Sequence, residues 1–206
     1  TTSGNSLGNS STRNTITLAG GALELANNTS QTFGHASRLT AVTGNATIRA
    51  DRLRAGAGVT HTLGTLRLGT SNLSVAPGGL VNSGTAGITF GTTTLTNNGA
   101  VLDVASGANL TLGALGGNFT LTNQGNGQLT LNTAANANRT SARVTHSGGT
   151  LRLGNASALG TSAVPLTLNG GTLHLALNGS VNAHNTTVGD NAIIVSDRST
   201  AGSGVT

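Results

Sequence analysis

Cysteine, methionine, tryptophan, tyrosine and lysine do not occur in this sequence of 206 residues. Without cysteine there is no disulfide, no thiolate metal ligand and no cysteine nucleophile. The same absence suits a chain that stays unfolded during export. Aromatic residues are reduced to Phe33, Phe90 and Phe119, which excludes a core built on large rings. No apolar run approaches the roughly 18 residues that span a bilayer, and the first ten residues hold no signal-peptide hydrophobic region. Acids are scarce as well: ten arginines oppose five carboxylates, giving a net charge of +5 and a pI near 11.8. The arginines are scattered from Arg13 to Arg198, and the tightest group, Arg49, Arg52 and Arg54, is broken by Asp51. Phosphate binding needs clustered cations, and single-strand binding adds aromatic platforms. A nucleic-acid partner is therefore not expected.

What is present is glycine, 32 residues without a Gly-X-Y period, which excludes collagen. Ser, Thr and Asn fill the polar positions. Good surface helix formers are rare, so the composition favours short strands joined by turns.

The clearest pattern lies in residues 147–175, where Gly148-Gly149-Thr150-Leu151-Arg152-Leu153 returns 22 residues later as Gly170-Gly171-Thr172-Leu173-His174-Leu175. Two Leu around one polar residue describe a strand with the Leu pair on a core and the Arg or His outward. Further pairs extend the series: Leu66 and Leu68, Ile88 and Phe90, Leu110 and Leu112 at steps of 22, Leu129 and Leu131 after a step of 19, and Ile193 and Val195 after a step of 20 from Leu173 and Leu175. Weaker series link Leu73 to Leu95, Leu80 to Leu102, Ala137 to Leu159 and Val181, and Val144 to Leu166 and Val188. Each repeat thus reads as three short strands and three turns. Hairpins would pair neighbours about seven residues apart and would not demand recurrence at 22. A solenoid stacks each strand on its copy one turn later and does demand it.

The expected fold is therefore all-β: a three-sided parallel β-helix (β-solenoid) of about 22 residues per turn and roughly nine turns. Residues 1–14 form a flexible tail or fragment edge, and 15–206 a single solenoid domain, irregular over 26–62 and regular over 63–196. The two end turns would expose unpaired strand edges. With no charged or helical cap in the sequence, self-association or continuation through the ends is expected.

Residues 125–195 resemble the autotransporter-associated β-strand repeat of bacterial surface proteins. The likeness rests on Gly127-Gln128-Leu129-Thr130-Leu131, the loop Ala137-Asn138-Arg139-Thr140-Ser141, Val144, Gly149-Thr150-Leu151-Arg152-Leu153, and Gly154-Asn155-Ala156-Ser157-Ala158-Leu159-Gly160. The family's usual Tyr-Thr-Gly loop is replaced by Arg139-Thr140-Ser141. The resemblance implies a secreted passenger or stalk at a bacterial surface, with a host or cell-surface glycan or protein as partner. The chain is too short to hold both a passenger and a translocator barrel.

Parallel β-helices also carry lyases and hydrolases of polysaccharides, which need two or three carboxylates in one cleft. Glu24, Asp51, Asp103, Asp190 and Asp197 are off register with one another, so no catalytic residue is assigned and an enzyme is not expected. That remains the alternative function, with Asp103 and Asp190 as the residues to change. His35, His61, His146, His174 and His184 show no metal-ligand spacing, and no carboxylate-rich calcium repeat occurs; no metal or cofactor is assigned. Thr89, Thr111 and Thr130 form an outward row that could bind ice if it persisted, but the row begins at Arg67 and ends at Arg152 and His174. Eleven Asn-x-Ser/Thr triplets, among them Asn45, Asn118, Asn178 and Asn185, leave glycosylation open. The leading expectation is a non-enzymatic, extracellular structural or adhesive solenoid.

Overall fold

The computed structural model describes residue 7 and residues 14–135 and 139–202. Its regular structure is strand throughout, and every ladder is parallel. Parallel strands wind about one axis for about eight turns and form three faces. Strands Ile16–Leu18, Leu39–Val42, Thr65–Leu68, Thr93–Leu95 and Leu115–Gly116 make the first face. Ala22–Ala26, Ala46–Asp51, Asn72–Pro77, Ala100–Val104, Leu121–Gln124, Val144–His146, Leu166–Leu168 and Thr186–Val188 make the second. Thr60–Thr62, Ala86–Phe90, Ala108–Leu112, Gln128–Leu131, Thr150–Leu153, Thr172–Ala176 and Ile193–Asp197 make the third. At about 4.8 Å per rung, eight rungs give a rod of roughly 35 Å.

The strands form because alternate residues are apolar and point at the axis. On the third face Ile88, Leu110, Leu129, Leu151 and Leu173 stack in direct register, and Phe90, Leu112, Leu131, Leu153 and Leu175 stack beside them. From Ile88 to Leu173 the first row is buried, so each Leu contributes about 2 kcal/mol of apolar burial. The recurring Gly-Gly before Thr-Leu has its own cause. Gly149 sits at φ 62° and Gly171 at φ 72°, and a Cβ on Gly149 would stand 2.2 Å from the Gly127 carbonyl oxygen. The corner requires both a left-handed backbone and no side chain.

The stacking differs from the sequence expectation in the first half. Leu66 and Leu68 lie on the first face, over Thr93 and Leu95, and Ile88 stacks on His61. Leu73 returns at Leu102, 29 residues on, rather than at Leu95, and Leu80 is an exposed turn residue. The physical reason is a ledge between the second and third faces, where Gly56–Ala57 pairs with Val81–Ser83. The extra residues lengthen the early rungs, as in Ile16 over Thr40 and Leu66 over Thr93. Longer rungs leave about eight turns where a uniform 22 gave nine. The stretch 26–62 carries the paired strands Leu39–Val42, Ala46–Asp51 and Thr60–Thr62.

In the second half the steps settle near 22. Val144 stacks on Leu166 as expected, while Val188 meets Leu168. Leu173 meets Ile194 rather than Ile193. Beyond Leu115–Gly116 the first face gives way to irregular segments that bury Ala142, Ala158, Leu159 and Val164. The Gly154-Asn155-Ala156-Ser157-Ala158-Leu159-Gly160 segment is one of them, a turn closed by Ala158 N–H on Asn155 O and Gly160 N–H on Ser157 O. Ala137 and most of the tail 1–14 lie outside the described residues.

Candidate functional site

The outward row of the third face runs Thr62, Thr89, Thr111, Thr130, Arg152, His174, Val195. Thr62 stands where the sequence expectation placed Arg67, so the hydroxyl row holds four rungs. It is not an open array. Thr130 is buried, donating to Asn109 Oδ1 at 3.0 Å and accepting from Gln128 Nε2 at 2.9 Å. Arg152 Nη1 donates to Asn132 Oδ1 at 3.1 Å. His174 does face outward, with its Nε2 3.7 Å from Asp197 Oδ2.

The carboxylates take separate places on the rod. Glu24 lies opposite Arg49 of the next rung, and Asp103 lies between Ser74 and Gln124. Asp190 and Asp197 are exposed near the last rung. Asp51 is buried at the ledge, where one oxygen accepts from Arg52 N–H at 2.8 Å and Leu80 N–H at 2.9 Å. It closes a corner and does not face a cleft. Among the described residues no group of three or more His, Asp or Glu could hold a metal ion.

Two histidines lie inside the rod. His61 stacks edge-on to Phe33 with ring centroids 5.1 Å apart. Its Nδ1 accepts from Gln31 N–H at 3.3 Å, so Nε2 carries the proton and donates to Asp51 O at 3.0 Å. Burial pushes its pKa below the ordinary value, opposed by the Asp51 carbonyl and charge. His146 points inward between Asn123 and Leu168 of the adjoining rungs, and Asn123 Nδ2 donates to its Nδ1 at 2.9 Å. Burial lowers its pKa too, against the neighbouring backbone of Thr172 and Gly149. The sequence held one signal for His146: it follows Val144 by two, on the inward phase of a strand.

Arg139, read from the sequence as part of a polar loop, is fully buried. Its Nε donates to Leu159 O at 3.1 Å and its Nη1 to Gly117 O at 2.8 Å, so one guanidinium joins the rungs on either side of it. Desolvation lowers its pKa to about 10, which leaves it cationic at neutral pH. No local pattern marks this burial, because the segment has no alternation.

Asparagine side chains perform a similar task at the surface. Asn45 Oδ1 accepts from Asn72 N–H at 2.8 Å, Asn98 Oδ1 from Thr120 N–H at 2.9 Å, and Asn118 Oδ1 from Ser141 N–H at 2.9 Å. Asn118 Nδ2 also donates to Ser141 Oγ at 2.7 Å. The amides of Asn45 and Asn118 are thus engaged between rungs, whereas Asn185 is exposed.

One flank of the rod carries a groove of about 300 Å³ where the first face turns into the second, lined by Ala41, Val42, Thr43, Arg67, Gly69, Thr70, Ser71, Thr96 and Asn97. Other recesses lie at the C-terminal end, around residues 171–202. That end is apolar: Ile193 is 63% exposed, Val188 58% and Ile194 55%. The opposite end is covered, with Leu25 fully buried and Leu7 packed against the core. Among the described residues no helix is long and apolar enough to cross a membrane. No family model, curated protein or solved structure matches this chain.

Proposed function

We propose that this chain is a non-enzymatic segment of an extracellular bacterial surface protein, a stalk or adhesive fibre whose solenoid continues or stacks end to end. The observation that carries the reading is the last rung. Strands Thr186–Val188 and Ile193–Asp197 each have a partner on one side only, and the apolar side chains of Val188, Ile193 and Ile194 stand in solvent. An edge of this kind is a template for another strand, and natural proteins cover such edges. A further turn of solenoid, from the same polypeptide or from a second copy, covers both the open ladders and the apolar rung.

Two sequence features support the surface location. The chain lacks cysteine, and residues 125–195 resemble the autotransporter-associated repeat. The Gly-Gly-Thr-Leu motif at the centre of that resemblance is also the corner and inward strand of the rung.

Electron micrographs of the purified chain, with sedimentation across a concentration series, test the proposal. Rods longer than one molecule, lengthening with concentration, are the expected result. Turnover on a panel of polysaccharides that disappears in Asp103→Asn or Asp190→Asn would replace the scaffold reading with the enzymatic one.

A further inference from the structure

We propose that the flank groove at the junction of the first and second faces binds an acidic sugar, with its carboxylate on Arg67. The inference deepens the adhesive reading and rests on it for its biological use. Arg67 is exposed, and its neighbours on the adjoining rungs are Ala41 and Thr94. No carboxylate lines the groove, so the guanidinium is available to a ligand anion in the planar, two-pronged geometry that arginine offers a carboxylate.

The rest of the lining favours a hydroxylated ring. Thr43 Oγ1 already donates to Leu18 O, and Thr96 Oγ1 to Leu68 O, each at 3.4 Å. Their lone pairs are left to accept from sugar hydroxyls. Asn97 Oδ1 accepts from Asn98 N–H at 2.8 Å, which leaves Nδ2 as a donor toward the groove. Thr70 adds an exposed hydroxyl, and Ala41 and Val42 give an apolar floor. A Cβ on Gly69 would stand 3.4 Å from Thr96 Oγ1, so glycine keeps that wall low. The volume is at the small end of the range for ligand sites, about 300 Å³ and upward, and suits one sugar unit. A phosphate would call for several cations or a nest of backbone N–H groups; a single arginine among hydroxyls and an amide matches one carboxylate on a polyol. Hexuronates and sialates share that chemistry.

The test titrates the full chain with D-glucuronate and with N-acetylneuraminate, using glucose, the glucuronate methyl ester and inorganic phosphate as controls, followed by amide NMR shifts. Binding by at least one of the two acids is expected in the millimolar range, with shifts confined to residues 41–43, 67–71 and 96–97. Arg67→Gln should weaken it at least tenfold. Thr70→Glu, which sets a carboxylate opposite Arg67, should weaken it similarly, and Arg143→Gln should leave it unchanged. Equal binding of glucose or the ester, equal binding of phosphate, indifference to Arg67→Gln, or no binding of either acid overturns the site. Attachment of rods to cell surfaces, measured with wild type and Arg67→Gln, separates the two claims. Rods that attach without any acidic-sugar binding overturn the site and leave the adhesive reading standing; Arg67-dependent sugar binding by rods that attach to nothing overturns the adhesive reading and supports the site.

Discussion

Arg139 is the one fully buried cation among the described residues, and what keeps it inside is the row of carbonyls that a missing strand leaves open. The Leu159 and Gly117 oxygens have lost the ladder partner that the first face supplied earlier in the chain, and the guanidinium takes its place. Arg139→Ala removes the donors and leaves those oxygens in an apolar setting. A loss of about 3 kcal/mol is expected by urea unfolding. Arg139→Lys should recover less than half, because a point ammonium does not span two rungs. Recovery of full stability by lysine would reduce Arg139 to a simple charge. The inward histidines set a pH dependence of opposite kind to that of salt-bridged carboxylates. Burial lowers the folded pKa values of His61 and His146, so on acidification the unfolded chain takes up protons first. Stability contributed by these neutral rings is complete above about pH 6.5 and is lost below it, by up to about 1.4 kcal/mol per pH unit for each ring. Urea midpoints between pH 7.5 and 5 should fall accordingly. His146→Leu, which matches Leu168 one rung on, should flatten the fall by one proton; midpoints that hold steady or rise on acidification would contradict the assignment.

At the scale of the strand, position along the rod decides the cost of a change. Leu151 has rungs on both sides and is fully buried, so Leu151→Ala should cost about 3 kcal/mol. Ile194 is the same kind of residue on the last rung but is more than half exposed, and Ile194→Ala should change stability by about 0.5 kcal/mol or less. Comparable losses at the two positions, measured by thermal unfolding of dilute chain, would mean that the last rung is already covered. The same contrast explains what could be read beforehand. From Ile88 to Leu175 every rung is built from a Leu-x-Leu strand and a glycine corner, and side-chain identity alone gives the register. Before Ile88 the ledge at Gly56–Ala57 and Val81–Ser83 lengthens the rungs, and a fixed period then puts Leu66 on the wrong face and pairs Leu73 with Leu95. The candidate groove was hidden for a related reason. Arg67, Thr43 and Thr96 come from three rungs separated by 24 to 29 residues, and only the irregular register brings them to one corner.

For the whole molecule, a solenoid has no single core, and its stability is the sum of rungs and the contacts between neighbouring rungs. The two ends are therefore where sequence must supply something different, and they differ here. Leu7 packs against the core at one end, keeping Leu25 covered, while the other presents Val188, Ile193 and Ile194. Association between copies is then expected through the C-terminal rung, where each added contact removes apolar surface and completes two open ladders. Ile193→Lys with Ile194→Asp places charge on that strand, where it opposes pairing in the way natural edge strands do. Because both residues are exposed, the rod should fold with an unchanged urea midpoint measured in dilute solution, and sedimentation should report a monomer at concentrations where the parent chain forms longer rods. Association that persists in the double variant would place the contact on the flanks, and loss of folding in the dilute chain would show that the last rung supports the rungs before it.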